Sequence, residues 1–122
     1  MFSNLLHRVS VFALTIPLST VAAADVTEEE ISFLISSVEA SDCVFVRNGE
    51  EHAADDAADH LRLKYRRGKR YASSAEKFID RLASESSWSG KPYFINCPDS
   101  GDHTSKDWLT ERLESYRKAR TP

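Results

Sequence analysis

The sequence predicts an α+β fold: about four helices packed on a small antiparallel strand element, in one small domain that follows an export leader. Three observations predict it. Four segments repeat apolar residues at helical spacing. Two short β-branched and aromatic segments lie between them, and each carries a cysteine. The first 24 residues run from a charged part through an apolar part to a small-residue end.

The leader comes first. Met1 to Arg8 ends on a positive charge, Val9 to Leu18 is apolar, and Val21-Ala22-Ala23-Ala24 supplies the small residues that a signal peptidase needs. Cleavage fits after Ala23 or Ala24; the second is preferred and leaves a mature domain over residues 25–122. As a membrane anchor the apolar run is too short, because ten residues of helix span only about 15 Å, roughly half a bilayer core. No later segment is apolar enough to span, so the mature protein is expected to be soluble and periplasmic.

Losing the leader removes one arginine and no acid, leaving 15 basic against 19 acidic residues. An acidic balance of this kind argues against general nucleic-acid binding. About 98 mature residues suffice for one core. In an oxidising compartment Cys43 and Cys97, the only two cysteines, read as one disulfide that staples this small domain; the alternative is two separate buried thiols.

The first helix is expected from about Glu28 to Ala40, with Thr27 and Glu30 as a capping box and Ile31, Leu34, Ile35 and Val38 on its buried face. Cys43 to Arg47 then reads as a strand, closed by the turn signal Asn48-Gly49. The second helix starts near Ala54, with Ala57, Ala58, Leu61 and Tyr65 in period. Its acids come early and its bases late, as the helix dipole favours, and Gly68 is read as its terminator. Ser73 and Glu76 form a second capping box before a third helix over about Ser74 to Ser84. The loop Ser84 to Pro92 holds four serines and leads into a second strand, Tyr93 to Cys97. Thr104 with Asp107 caps a last helix bearing Trp108, Leu109, Leu113 and Tyr116, which is expected to fray into the basic tail Arg117 to Arg120.

Several of these segments, Phe45 to Gly49, Ala57 through His60-Leu61-Arg62 to Lys64, Ala75-Glu76 with Phe78-Ile79, and Ser86-Ser87 followed by Gly90 to Tyr93, resemble the YfeK-like family of uncharacterised bacterial envelope proteins. The resemblance covers roughly Ile31 to Tyr116. It implies a periplasmic location and no activity. The chain departs from the family pattern at Ala53, where a Thr or Ser cap is usual; the cysteine pair is no part of the resemblance.

No catalytic, metal or nucleotide constellation is complete. A serine hydrolase needs Ser, His and an acid, for which Ser86 or Ser87, His60 and Glu76 are the candidates, yet no G-x-S-x-G elbow surrounds a serine. Mature histidines at 52, 60 and 103 have no metal-ligand spacing, and the four glycines are isolated turn residues, so no metal and no cofactor are expected. The basic run Lys64 to Arg70 reads as a solvated helix end, the alternative being contact with phosphate or carboxylate groups of envelope polymers or lipids. Trp88 and Trp108 read as packing residues, the alternative being exposed partner anchors.

One candidate site remains. If the disulfide pairs the two strands antiparallel, Arg47 at the end of the first meets the start of the second at Tyr93, beside the serine loop. Arg47, Asn48, His60, Lys64, Ser86, Ser87 and Lys91 are then the expected ligand-binding residues: cations and hydroxyl or amide donors suited to a carboxylate or phosphate. The competing reading pairs Arg47 with Glu76 or another acid and spends the loop donors on their own backbone. The function expected is a non-enzymatic periplasmic binding or accessory module for an anionic envelope component or an envelope protein; the alternative is the small hydrolase.

Overall fold

Apolar residues at helical spacing turn inward in every long helix, and the polar segments between them supply more sheet than their composition announces. In a computed structural model, which describes residues 23–121, the order is α1 (Ala23–Ala40), β1 (Val44–Arg47), β2 (Glu50–His52), α2 (Ala54–Gly68), a 3-10 turn (Lys69–Tyr71), α3 (Ala75–Phe78) continuing as a π-helical turn (Ile79–Ala83), β3 (Phe94–Cys97), β4 (Gly101–Thr104) and α4 (Ser105–Arg120). The fold is α+β, four helices with one antiparallel sheet of order β2-β1-β3-β4. The leader lies outside the described residues except for Ala23 and Ala24, which open α1.

Two strands exceed the expectation. β2 and β4 are the edges of the sheet, and their sequences, Glu50-Glu51-His52 and Gly101 to Thr104, carry no alternating apolar pattern. They pair through backbone groups returned by tight turns, and their polar side chains suit exposed edges. In the first turn Asn48 and Gly49 both have positive φ, 50° and 78°, the conformation that a type I′ two-residue hairpin requires at both central positions.

Helix ends differ from expectation for local reasons. α1 begins a turn earlier than Glu28, and Thr27 is not its cap: its hydroxyl donates to the Ala23 carbonyl at 2.8 Å. Ser74, not Ser73, caps α3 by accepting from the Lys77 amide at 3.1 Å, while Glu76 is drawn to Arg117. α2 starts at Ala54 behind an Ala53 that makes no side-chain cap bond. Gly68 does not terminate α2 through a left-handed turn, for its φ is −112°. Its reason is packing: a β-carbon there would stand 2.8 Å from Leu82 Cδ2.

The basic tail does not fray. Arg117 joins Glu30 at 2.7 and 3.0 Å and also pairs with Glu76, and Arg120 approaches Glu29, so α4 stays helical to Arg120. Glu30 is buried, and this guanidinium is what makes its burial tolerable.

The core lies between the helices and one face of the sheet. Ile31, Leu34, Val38, Ala58, Ala75, Phe78, Ala83, Ile95 and Leu109 are wholly or almost wholly shielded from solvent. Cys43 and Cys97 form the disulfide, next to the register pair Val44 and Asn96. Cys43, Phe45, Ile95 and Cys97 point to the core side of the sheet, as strand alternation requires.

Candidate functional site

The β1–β3 register sets the geometry. Val44 faces Asn96, Phe45 faces Ile95 and Val46 faces Phe94, so Arg47 comes opposite Tyr93, on the same sheet face as the core residues. At this end of the sheet a cleft of about 700 Å³ takes the place of packed side chains.

α2 and the 3-10 turn after it form one wall. His60, Lys64 and Arg67 on α2 follow at intervals of four and three, the spacing of a single helical stripe, Tyr71 comes from the 3-10 turn, and all four line the cleft. The π-helical turn contributes Arg81 and Leu82, and the serine loop contributes Ser86, Ser87 and Trp88.

Hydrogen bonds fix the loop tightly. Ser86 Oγ accepts from the Trp88 and Ser89 amides, both at 3.2 Å, and from Asn48 Nδ2 at 3.3 Å. The Ser86 amide donates to the Lys91 carbonyl and the Gly90 amide to the Ser86 carbonyl, each at 2.9 Å. Ser89 Oγ donates to Asn48 Oδ1 at 2.6 Å. The β1–β2 turn and the serine loop are thus clasped together, and Trp88 is held out from the clasp with 91% of its surface exposed.

Lys64 Nζ donates to the Glu85 carbonyl at 3.0 Å and to the Tyr93 hydroxyl at 3.1 Å. Burial, with a further contribution from Arg47, lowers its pKa to about 8. His60 stands edge-on to Tyr93. Burial, and then the charges of Arg47, Lys64 and His52, bring its pKa down to about 4, so at neutral pH it is an uncharged imidazole.

No carboxylate lines the cleft, although Arg47, Lys64, Arg67 and Arg81 all do. None of these four cations takes part in an ion pair among the described residues; the pairs found there use Arg62, Lys69, Lys106, Arg117 and Arg120. Glu76, the acid proposed for Arg47 in the competing reading, serves Arg117.

Of the seven residues named from sequence, Arg47, Asn48, His60, Lys64, Ser86 and Ser87 border one cleft, and Lys91 does not. The Lys91 backbone closes the loop and its side chain is exposed. Asn48 and Ser86 spend their polar groups on the clasp. Sequence reasoning left out Arg67, which the His60, Lys64, Arg67 stripe of α2 would have revealed, and Tyr71 and Arg81, for which the sequence held no signal. It also misread Trp88 as packing; only Trp108 is buried.

Chemically the site offers fixed positive charge, with aromatic surface at Tyr71, Trp88 and Tyr93. No hydrogen bond joins His60 to Ser86 or Ser87 among the described residues, and Ser86 Oγ already accepts three N–H groups. No cluster of three metal-ligating side chains occurs among the described residues, and no helix there is long and apolar enough to cross a membrane.

Comparison with known proteins adds kinship without activity. Residues 25–117 match the model of a family of unknown function, DUF5329. The chain is similar to the uncharacterised protein YfeK of Salmonella typhimurium strain LT2, 40% identical over 86 residues, which is 69% of this chain and 72% of that protein. No solved structure matches.

Proposed function

We propose that this chain, which belongs to the DUF5329 family of unknown function, is a non-enzymatic binding or accessory module of the bacterial envelope whose cleft takes an anionic ligand. One observation carries the reading. In a chain with 19 acidic residues and a net charge of −3, the 700 Å³ cleft gathers Arg47, Lys64, Arg67 and Arg81 and excludes every carboxylate. Like charges gathered at one cleft, with Glu85 acting on Lys64 from outside the lining, raise the free energy of the folded state, and a bound anion relieves that cost. Arg47 and Arg67 offer flat, forked donors to a carboxylate or phosphate, and Lys64 offers a point charge.

Export belongs to the same reading: the leader is cleaved after Ala24 and the domain resides in the periplasm. The Cys43–Cys97 bond supports it, since such bonds persist in oxidising compartments. Intact mass measurement on periplasmic material is expected to give a chain that starts at Asp25 and has no free thiol. A retained leader would overturn the export reading.

The hydrolase alternative lacks the serine-to-imidazole hydrogen bond from which nucleophile activation starts. For the binding reading, citrate added to isotope-labelled, oxidised protein is expected to shift the amides of Arg47, Asn48 and the His60 to Lys64 turn saturably. Arg47→Gln combined with Lys64→Gln is expected to abolish those shifts. Shifts scattered over the surface, or unchanged in the double variant, would remove the anion site.

A further inference from the structure

Within that reading, on which this inference rests, the cleft has features that a simple anion does not need. Its volume, about 700 Å³, falls in the range of about 300–1,000 Å³ typical of clefts for organic ligands. Its cations come from three elements: Arg47 from β1, Lys64 and Arg67 from successive turns of α2, and Arg81 from the π-helical turn. They are spread to meet several acidic groups along one molecule.

Trp88 is the second feature. An indole with 91% of its surface in water gains nothing for the core. Its backbone is nevertheless held at the cleft, because Ser86 Oγ accepts from the amides of Trp88 and Ser89 and Asn48 ties that serine to the β1–β2 turn. Neither face of the indole is covered by a cation or another ring among the described residues. An open aromatic face beside unpaired cations matches a ligand with both a C–H-lined face and acidic substituents. The ring face is electron-rich, and the axial C–H groups of a pyranose, polarised by the neighbouring oxygens, pack on it.

We infer that the cleft binds an acidic saccharide, with its carboxylate or phosphate groups on Arg47, Lys64, Arg67 and Arg81 and one sugar face on Trp88. A nucleotide fits less well. The Asn48 amide, the side chain at the cleft best suited to read a base edge, has both its oxygen and its nitrogen engaged by Ser89 and Ser86. A lipid surface also fits less well, because the cations line a concavity and do not form a flat face.

Calorimetric titration of the oxidised protein with trigalacturonic acid, maltotriose, inorganic phosphate, guanosine monophosphate and phosphatidylglycerol vesicles tests this. Trigalacturonate is expected to bind at least tenfold more tightly than phosphate, and maltotriose not detectably. Trp88→Ala alters a residue that packs on nothing, so the fold is preserved; it is expected to weaken trigalacturonate tenfold, to leave phosphate unchanged, and Trp88→Tyr to restore most of the loss. Arg47→Gln with Lys64→Gln is expected to remove both ligands. Equal affinity for phosphate and trigalacturonate, indifferent to Trp88, would overturn the saccharide inference while leaving the anion site standing. Tighter, Trp88-dependent binding of the nucleotide or the vesicles would also overturn it. If no anion binds at all, the proposed function fails with it.

Discussion

The two ends of the β1–β3 pair are built by the same strands on the same face of the sheet, yet they are held in opposite ways. At one end Cys43 and Cys97 are joined covalently over a packed core. Four residues along, Arg47 and Tyr93 point the same way into a cleft lined by cations. An inward strand position is therefore not by itself a core position; it becomes one only where a helix layer closes over it. The closed end accounts for stability. At the open end the charges act against stability, and that end persists because the clasp and the closed end hold it in place.

The largest effect is expected from breaking the closed end. Replacing Cys43 and Cys97 together by alanine frees a loop of sequence separation 54, worth about 4 kcal/mol in the chain-entropy model. Urea unfolding of the oxidised wild type against the double variant checks this, and a loss below about 1 kcal/mol would mean that packing alone closes this end.

Next comes the clasp between the ends of the site. Asn48→Ala places a β-branched-free but L-configured alanine at φ 50° and removes the bonds to Ser86 and Ser89, together about 2 kcal/mol. Asn48→Gly keeps the turn and loses only the bonds, so it is expected to cost about half as much. Equal losses in the two variants would show that the backbone conformation contributes nothing.

The pH dependence should separate the ends further. His60 titrates at about 4 in the folded chain against 6.5 ordinarily, so between these values the unfolded chain binds more protons. Stability from the neutral imidazole is thus complete above about pH 6.5 and is lost as pH falls toward 4. Since the ring is partly in contact with solvent, the loss is expected to be about 1 kcal/mol. Comparing wild type with His60→Gln at pH 7 and pH 4.5 cancels the carboxylates common to both. A difference that does not change with pH would sink this assignment.

How much of this was legible in the sequence follows the same division. The closed end was, because apolar period and a cysteine pair state directly what must be buried and joined. Antiparallel pairing across that bond then carried Arg47 to Tyr93. The edge strands were not legible, since they pair through the backbone and carry no alternating apolar pattern. The acids that hold the basic tail are far from it in sequence, Glu30 by 87 residues and Glu76 by 41 from Arg117, pairings that no local pattern reveals. Arg81 reaches the site from the π-helical turn that continues α3, which no local pattern announces, and Trp88 was misread because composition cannot distinguish an exposed ring from a core ring.

The smallest stability change, and the sharpest contrast with the disulfide, is expected from Arg47→Met. The Arg47 guanidinium has no hydrogen-bond or ion-pair partner among the described residues, and it bears on both Lys64 and His60. Methionine keeps the apolar stem and removes the charge. The fold loses no bond and is relieved of repulsion, so stability is expected to stay within about 0.5 kcal/mol of wild type or to rise. The site is expected to respond strongly all the same. Lys64 is held at about 8, first by burial and then by Arg47, so without Arg47 its titration moves part of the way back toward 10.5 and the burial contribution remains. In the wild type, anion affinity is expected to fall as pH rises through about 8 and the ammonium is lost; in Arg47→Met that fall begins at higher pH and from a weaker starting affinity. Following the Lys64 side-chain resonances and citrate binding across pH 6.5 to 10.5 measures both. If Arg47→Met instead unfolded the protein as the cysteine variant does, the open end would prove to be a structural pair like the closed one, and its cations would have to be reassigned to holding the sheet.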